Sequence, residues 1–180
     1  MMKPENKFRT WFIDKARGHL NRHYPGLRVR FQKHADYVTS GIPDMDIAIA
    51  GVTLWFEFKH LPSCVKGRKL DVTALQMAHL NSLAEAGVGR GLLVGLALGP
   101  RQGYDVALYH AGIPSVAHRN DFRPWTVVVD KIFEMAKCAA INAQHEFHKA
   151  GSRVGLVGHL PIPHLQPVDS GLDDAHEDGG

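Results

Sequence analysis

Apolar residues recur along this chain at two periods. After Pro4, which the first turn of a helix accepts because that N–H has no partner there anyway, Phe8, Trp11, Phe12, Ala16 and Leu20 repeat at helical spacing. They predict a helix over about residues 4–23, ended by Tyr24-Pro25-Gly26. The period then drops to two. Leu27, Val29 and Phe31 alternate with Arg28, Arg30 and Gln32, which reads as a half-buried strand with a basic outer face. A loop over residues 36–42 leads to an apolar run from Met45 to Ala50. Gly51 marks a turn, and Val52 to Lys59 returns, so the two runs read as a β-hairpin. On the returning strand Glu57 and Lys59 share one face, while Phe56 and Phe58 take the other.

Residues 60–70 read as a loop carrying Pro62 and the basic cluster Lys66-Gly67-Arg68-Lys69. Asp71 or Thr73 can cap a helix over about 73–86, with Leu75, Ala78, Leu83 and Ala86 as its apolar positions and Gly87 as its stop. Leu92 to Leu98 is a continuous apolar run, the signature of a central strand buried on both faces. Residues 104–110 predict another strand. Residues 126–149 carry the longest helical pattern, with Val128, Val129, Ile132, Phe133, Ala136, Ala139, Ala140 and Phe147 on its apolar side. The order is α/β with a mixed central sheet flanked by helices: the hairpin must be antiparallel, and the 73–86 helix can return the apolar strand to the same sheet by a right-handed crossover. Residues 1–150 are expected to form one domain, with a core over 4–110 and a C-terminal helix at about 126–149. From Gly151 to residue 180 periodicity vanishes and Gly, Pro and acids dominate, which predicts a mobile tail.

Composition adds limits. A chain of 180 residues, 44% hydrophobic and 22% charged, fits a soluble globular protein with a sizeable core. No apolar stretch approaches the ~18–20 residues of a transmembrane helix, and the N-terminal residues lack a signal-peptide apolar region. Two cysteines, Cys64 and Cys138, make no disulfide framework, so a reducing cytoplasm is the expected setting. Nothing near Cys64 resembles a base held to activate it. The net charge of +3 hides an asymmetry. The last twelve residues hold five acids and no Lys or Arg, whereas residues 1–35 carry nine bases against Glu5 and Asp14. A basic body suits a polyanion such as nucleic acid, although charge alone equally describes a solubilising surface.

The candidate chemistry lies on the hairpin. Asp44 opens the first strand, and Glu57 and Lys59 stand near the end of the second, where polar groups on an apolar strand are costly unless they face water, a metal or a substrate. Asp44 and Glu57 can be cross-strand neighbours, and the Phe58 carbonyl offers a third oxygen. A hard cation such as Mg²⁺ needs only one or two carboxylates, because it keeps several waters. Lys59 can stabilise charge growing on a phosphate or orient the attacking water.

Ser40-Gly41-Ile42-Pro43-Asp44 followed by Glu57-Phe58-Lys59, after a helix bearing Glu5, resembles the PD-(D/E)XK nuclease superfamily. The proline-aspartate spelling looks like its VRR-NUC and phage endonuclease or Holliday-junction-resolvase branches. Leu75-Gln76-Met77-Ala78-His79-Leu80, ending at Ala86-Gly87, looks like the VRR-NUC helix. The resemblance covers roughly residues 5–98 and gives no account of the chain beyond residue 100. It implies a restriction-endonuclease-like core and a Mg²⁺-dependent endodeoxyribonuclease, with Mn²⁺ able to substitute, acting on branched or otherwise structured DNA. It implies Asp44, Glu57 and the Phe58 carbonyl as metal ligands, Lys59 as charge stabiliser, Gln76 as support for the metal or a phosphate, and Glu5 as accessory ligand or positioner of Lys59. Glu5 equally complements a helix dipole, and Gln76 equally suits a solvated helix face. Asp46 lies on the same strand face as Asp44; only Asp44 matches the proline-aspartate position.

Lys66, Arg68, Lys69 and, more weakly, Lys33 and His34 are the candidate phosphate contacts, which set affinity and register rather than sequence preference. Twelve histidines, including His60, His79, His145 and His148, raise the question of zinc, but no pairs occur at finger-like spacing. Junction cleavage needs two active sites and hence a homodimer, for which the 126–149 helix is a candidate contact, although capping its own domain is the commoner role. A non-catalytic nucleic-acid-binding module, or a subunit of a larger nuclease complex, is the alternative reading.

Overall fold

The periodicities translate into elements largely where the sequence places them. The computed structural model describes residues 2–34, 42–62, 67–99 and 102–154. Helix α1 spans Pro4–His23, with Pro4 in the first turn and Phe8, Phe12, Ile13, Ala16 and Leu20 buried along one face. Three strands follow: β1 (Val29–Lys33), β2 (Met45–Ile49) and β3 (Val52–Leu61). They form an antiparallel meander in which Ile47 pairs with both Phe31 and Leu54. The β2–β3 turn is the dipeptide Ala50-Gly51 with φ of 50° and 86°. Two positive φ values in a two-residue loop match the right-handed twist of the strands, and they explain the glycine.

A short strand β4 (Arg68–Lys69) lies in the segment the sequence reads as loop. Helix α2 (Ala74–Glu85), strands β5 (Arg90–Gly99), β6 (Gly103–Tyr109), β7 (Val116–Ala117) and β8 (Arg123–Pro124), and helix α3 (Trp125–Val154) complete the order. The central sheet runs β1-β2-β3-β5-β6-β8, and β4 pairs separately with β7. Within the central sheet only β3 and β5 pair in parallel, joined through α2, as the crossover requires. The mixed central sheet flanked by helices is therefore as expected. The two-residue strands β4, β7 and β8 have too little period to be visible in sequence.

Burial divides by strand parity. Met45, Ile47, Leu54, Phe56 and Phe58 face α1 and α3 in the larger core, together with Phe8, Phe12, Val129 and Phe133. Leu61, Leu92, Val94 and Leu96 face the other way into a smaller core with Leu70, Ala107, Ala117 and Phe122. Strand β5 thus buries both faces, as its unbroken apolar run predicts. The close seating of α1 depends on Gly95: a Cβ there would fall 2.4 Å from the Phe8 ring.

Two expectations change. Helix α2 buries Leu80 completely and leaves Leu75 50% exposed, so the helix turns Gln76, Leu80 and Leu83 toward the sheet instead of Leu75, Ala78 and Ala86. Gln76, Leu80 and Leu83 follow an i, i+4, i+7 line, which short amphipathic helices favour for contact. Helix α3 continues to Val154, past the expected boundary at 150; among its residues up to 145, the last buried position is Ala136, and the side chain of Phe147 lies outside the described residues. Residues 155–180, the greater part of the expected tail, lie outside the described residues.

Candidate active site

Four elements converge at the end of β3. Asp44 immediately precedes β2, Glu57 and Lys59 stand on β3, Glu5 and Arg9 project from α1, and Gln76 sits in the first turn of α2. The β2–β3 register pairs Met45 with Phe56, so Asp44 falls opposite Glu57 and Pro43 opposite Phe58. The ladder ends here for a chemical reason. Proline has no N–H to give to the Phe58 carbonyl. The Phe58 N–H, in turn, donates to Asp44 Oδ2 at 2.9 Å. Main-chain N–H and C=O of one strand residue point to the same edge, so the Phe58 carbonyl opens toward Asp44 with no ladder donor opposite it.

Asp44 is fixed twice. Besides the Phe58 amide, Arg9 Nη1 pairs with its Oδ1 at 3.1 Å, and Arg9 Nη2 donates to Asn6 Oδ1 at 3.1 Å. Arg9 is a site residue that sequence reading counts only as one base among many. Its signal is the i, i+4 relation to Glu5 on a helix whose other face is core. Asp46, indistinguishable from Asp44 by strand parity, has different partners: His34 Nε2 at 2.8 Å and Arg30 Nη2 at 3.3 Å. Asp44, and not Asp46, is the carboxylate opposite Glu57.

Glu57 is 1% exposed. Its Oε1 accepts from Lys59 Nζ at 3.0 Å and from the Gln76 side-chain amide. Lys59 Nζ also lies 3.9 Å from Glu5 Oε2. Gln76 is engaged at its other end as well. Its Oε1 accepts the Thr73 N–H while Thr73 Oγ1 accepts the Gln76 N–H, which closes a capping box at the start of α2. The capping residue is therefore Thr73 rather than Asp71.

The electrostatics follow from burial. Removal from water, then the Asp44 charge, push the Glu57 carboxyl up to about 7, against the lowering pull of Lys59. Burial likewise raises Glu5, again opposed by Lys59. Burial works to lower Lys59, but the surrounding carboxylates of Glu57, Glu5 and Asp44 outweigh it, and Lys59 stays a cation above its ordinary value. Two acids that repel one another constitute a place where added positive charge is favourable.

Among the described residues no group of three or more His, Cys, Asp and Glu side chains is arranged to hold a metal ion. The oxygen set of Asp44, Glu57 and the Phe58 carbonyl nevertheless suits a hard cation that retains waters, since carboxylate oxygens have lone pairs beyond those used here. The like-charge repulsion on Glu57 is the observation that supports the fit.

The candidate phosphate contacts disperse. Lys33 is exposed and donates to Thr10 Oγ1 at 3.2 Å. Arg68 and Lys69 are exposed on β4, outside the central sheet. Lys66 lies outside the described residues, as does Cys64, while Cys138 is an exposed thiol on α3. His60 packs edge-on to Tyr104 at 5.8 Å, and burial lowers its pKa. Among the described residues no helix is long and apolar enough to cross a membrane.

Neither a family model nor a curated protein matches this sequence. Among solved structures, Hjc from Archaeoglobus fulgidus, a Holliday junction resolvase from an archaeal hyperthermophile, is similar over 71% of this chain and 97% of its own length. The identity is 12% and the TM-score 0.46, too distant a likeness to carry any property from that protein to this chain.

Proposed function

We propose that this protein is a metal-dependent endodeoxyribonuclease that hydrolyses phosphodiester bonds. The observation that carries the reading is the meeting of Asp44, Glu57 and Lys59, with a buried Glu57 pressed by a neighbouring carboxylate and no apolar explanation for its position. Asp44, Glu57 and the Phe58 carbonyl would hold Mg²⁺, or Mn²⁺ in its place. When bound, the cation would polarise the phosphate and acidify a water.

This chain's own residues do the rest. Lys59, cationic at neutral pH, donates to a phosphate oxygen as charge grows on it. An in-line water attacks phosphorus, and the 3′-oxygen leaves, giving a 5′-phosphate end. Gln76 positions Glu57, Arg9 positions Asp44, and Glu5 helps to hold Lys59. Residues 1–150 serve as the nuclease unit and 151–180 as an appended acidic tail. The preference for branched or otherwise structured DNA rests on the Ser40 to Asp44 spelling, and the homodimer follows from the need for two cuts at a junction.

The test is cleavage of a labelled four-way junction, a flap and a linear duplex, in Mg²⁺ and in EDTA, with wild type beside Lys59→Ala. Metal-dependent cutting that falls about 100-fold or more in the variant is expected. Binding of all three substrates with no cutting in Mg²⁺ or Mn²⁺ would leave a non-catalytic binding module or a subunit of a larger complex.

A further inference from the structure

The structure assigns the open face of β1, with Arg28 just before it and His34 just after it, as a track for the sugar-phosphate backbone of the duplex that enters the site. This rests on the nuclease reading for its direction but not for its chemistry. The carboxylate that the active site does not use is the starting point. Asp46 has a side chain only 4% exposed, and it is held by Arg30 on the neighbouring strand and by His34 just beyond its end. A buried carboxylate must keep its partners. Asp46 thereby fixes Arg30, whose own side chain is 64% exposed. It fixes His34 as well, whose ring lies stacked on Trp55 at 5.0 Å with an interplanar angle of 16°.

Strand parity puts Arg28, Arg30 and His34 on one face, the face of Asp46, Trp55 and Glu57, opposite the core formed with α1 and α3. At the far end, Arg17 and Asn21 of α1 join Arg28 and Arg30 around a groove of about 530 Å³ at the edge of the sheet. Among the described residues no carboxylate pairs with Arg17 or Arg28; the Arg17 guanidinium rests 5.5 Å from the Phe31 ring centre. At the near end the His34 N–H donates to the Asp44 carbonyl at 2.8 Å, which ties the track to the candidate metal site. Arg28 and His34 flank the five-residue strand β1, six residue steps apart, about 20 Å of extended chain or about six nucleotides of one DNA strand.

Charge complementarity selects the occupant. Arg28 and Arg30 lie along the open face and Arg17 reaches the same groove from α1 at the sheet edge; of the three only Arg30 is paired with an acid, Asp46, and they lead toward the candidate site. A duplex backbone asks for cations at intervals and carries the counterions that their contact releases. Because Arg30 and His34 are held before the ligand arrives, less side-chain freedom is lost on binding.

The experiment is anisotropy of a labelled mixed-sequence duplex of about 30 base pairs, in EDTA, from about 50 to 200 mM salt. The proteins compared are wild type, Arg17→Gln/Arg28→Gln, and Lys131→Gln/Lys137→Gln on α3. Arg17 and Arg28 leave the Asp46 anchor untouched, so their replacement preserves the fold, as the thermal midpoint verifies. The expected result is a salt slope smaller by about two for the arginine pair, about tenfold weaker binding at low salt, and no change for the lysine pair. Equal loss in both pairs would mean diffuse charge and overturn the track. So would an unchanged slope in the arginine pair, or wild type that fails to bind the duplex. Slope and binding as expected, with no cleavage in Mg²⁺ or Mn²⁺, would support the track and remove the nuclease reading alone.

Discussion

The side-chain amide of Gln76 donates to the Glu57 carboxylate while its carbonyl oxygen accepts the Thr73 N–H. One glutamine thus starts α2 and holds a candidate metal ligand, and the two jobs can be separated. Thr73→Ala removes the cap hydroxyl and leaves the Glu57 contact in place. It is expected to cost about 1 kcal/mol of stability with cleavage nearly intact. Gln76→Ala loses both contacts and is expected to show a similar stability loss together with a 10- to 100-fold fall in metal affinity or cleavage. Denaturant midpoints and cleavage rates on the same preparations check it; equal activity loss in the two variants would show that Gln76 acts only through the helix.

Glu57 predicts a pH dependence with a defined sign. Its carboxyl is raised from the ordinary value of 4.5 to about 7 by burial and by Asp44. A raised acid is neutral in both folded and unfolded chains at low pH, so it adds no pH dependence below about 4.5. Between that value and about 7, the unfolded chain releases the proton first, and stability falls as pH rises. Glu5, raised in the same direction, adds to the trend. The metal-free protein should therefore lose thermal stability from pH 4.5 to 7, and Glu57→Gln should flatten that decline. Metal reverses the sign, because it binds the ionised form: the gain in midpoint on adding Mn²⁺ should grow through the same window. A flat wild-type profile without metal would contradict the environment described for Glu57.

Much of this was legible because two faces of the hairpin demand opposite chemistry. Phe56 and Phe58 announce the core side, so Glu57 and Lys59 must share the other, and the Pro43-Asp44 pair fixes which acid joins them. Parity could not separate Asp44 from Asp46; that distinction depends on Arg9 reaching from α1, on Arg30 of β1 and on His34 just after it, contacts between segments apart in sequence. The misjudged face of α2 has a related cause. Leu75 looks apolar in isolation, but the Gln76 link to Glu57 sets the rotation of the helix and turns Leu80 inward instead. Strands β4 and β7, two residues each, exist through pairing with one another and leave no periodic trace.

Gly95 predicts a packing defect with a functional consequence. A Cβ at this position would meet the Phe8 ring at 2.4 Å, and Phe8 lies on the same helix as Glu5 and Arg9. Gly95→Ala must displace α1 or rotate Phe8 out of its contact with Phe58, whose ring centre is 5.6 Å away. The expected cost is about 1–3 kcal/mol, with a fall in cleavage beyond what lost folded protein explains. Measuring cleavage well below the unfolding midpoint separates the two. Full specific activity in a destabilised Gly95→Ala would mean that α1 tolerates the shift without moving Arg9 from Asp44.

Pro43 carries the sharpest prediction about the metal ligands. Opposite Phe58 in the β2–β3 register, it withholds an N–H from the Phe58 carbonyl. In Pro43→Ala the new N–H can extend the ladder by one bond, worth about 0.5–1.5 kcal/mol. The freer unfolded chain costs about 0.4–1 kcal/mol in the other direction. Stability should therefore change little, while the carbonyl, now engaged by the ladder, is lost as an oxygen for the cation. Cleavage and Mn²⁺ affinity should fall about tenfold or more, read by titration calorimetry beside a thermal melt. A variant with unchanged stability and unchanged Mn²⁺ affinity would remove the Phe58 carbonyl from the ligand set and leave Asp44 and Glu57 to hold the cation with water alone.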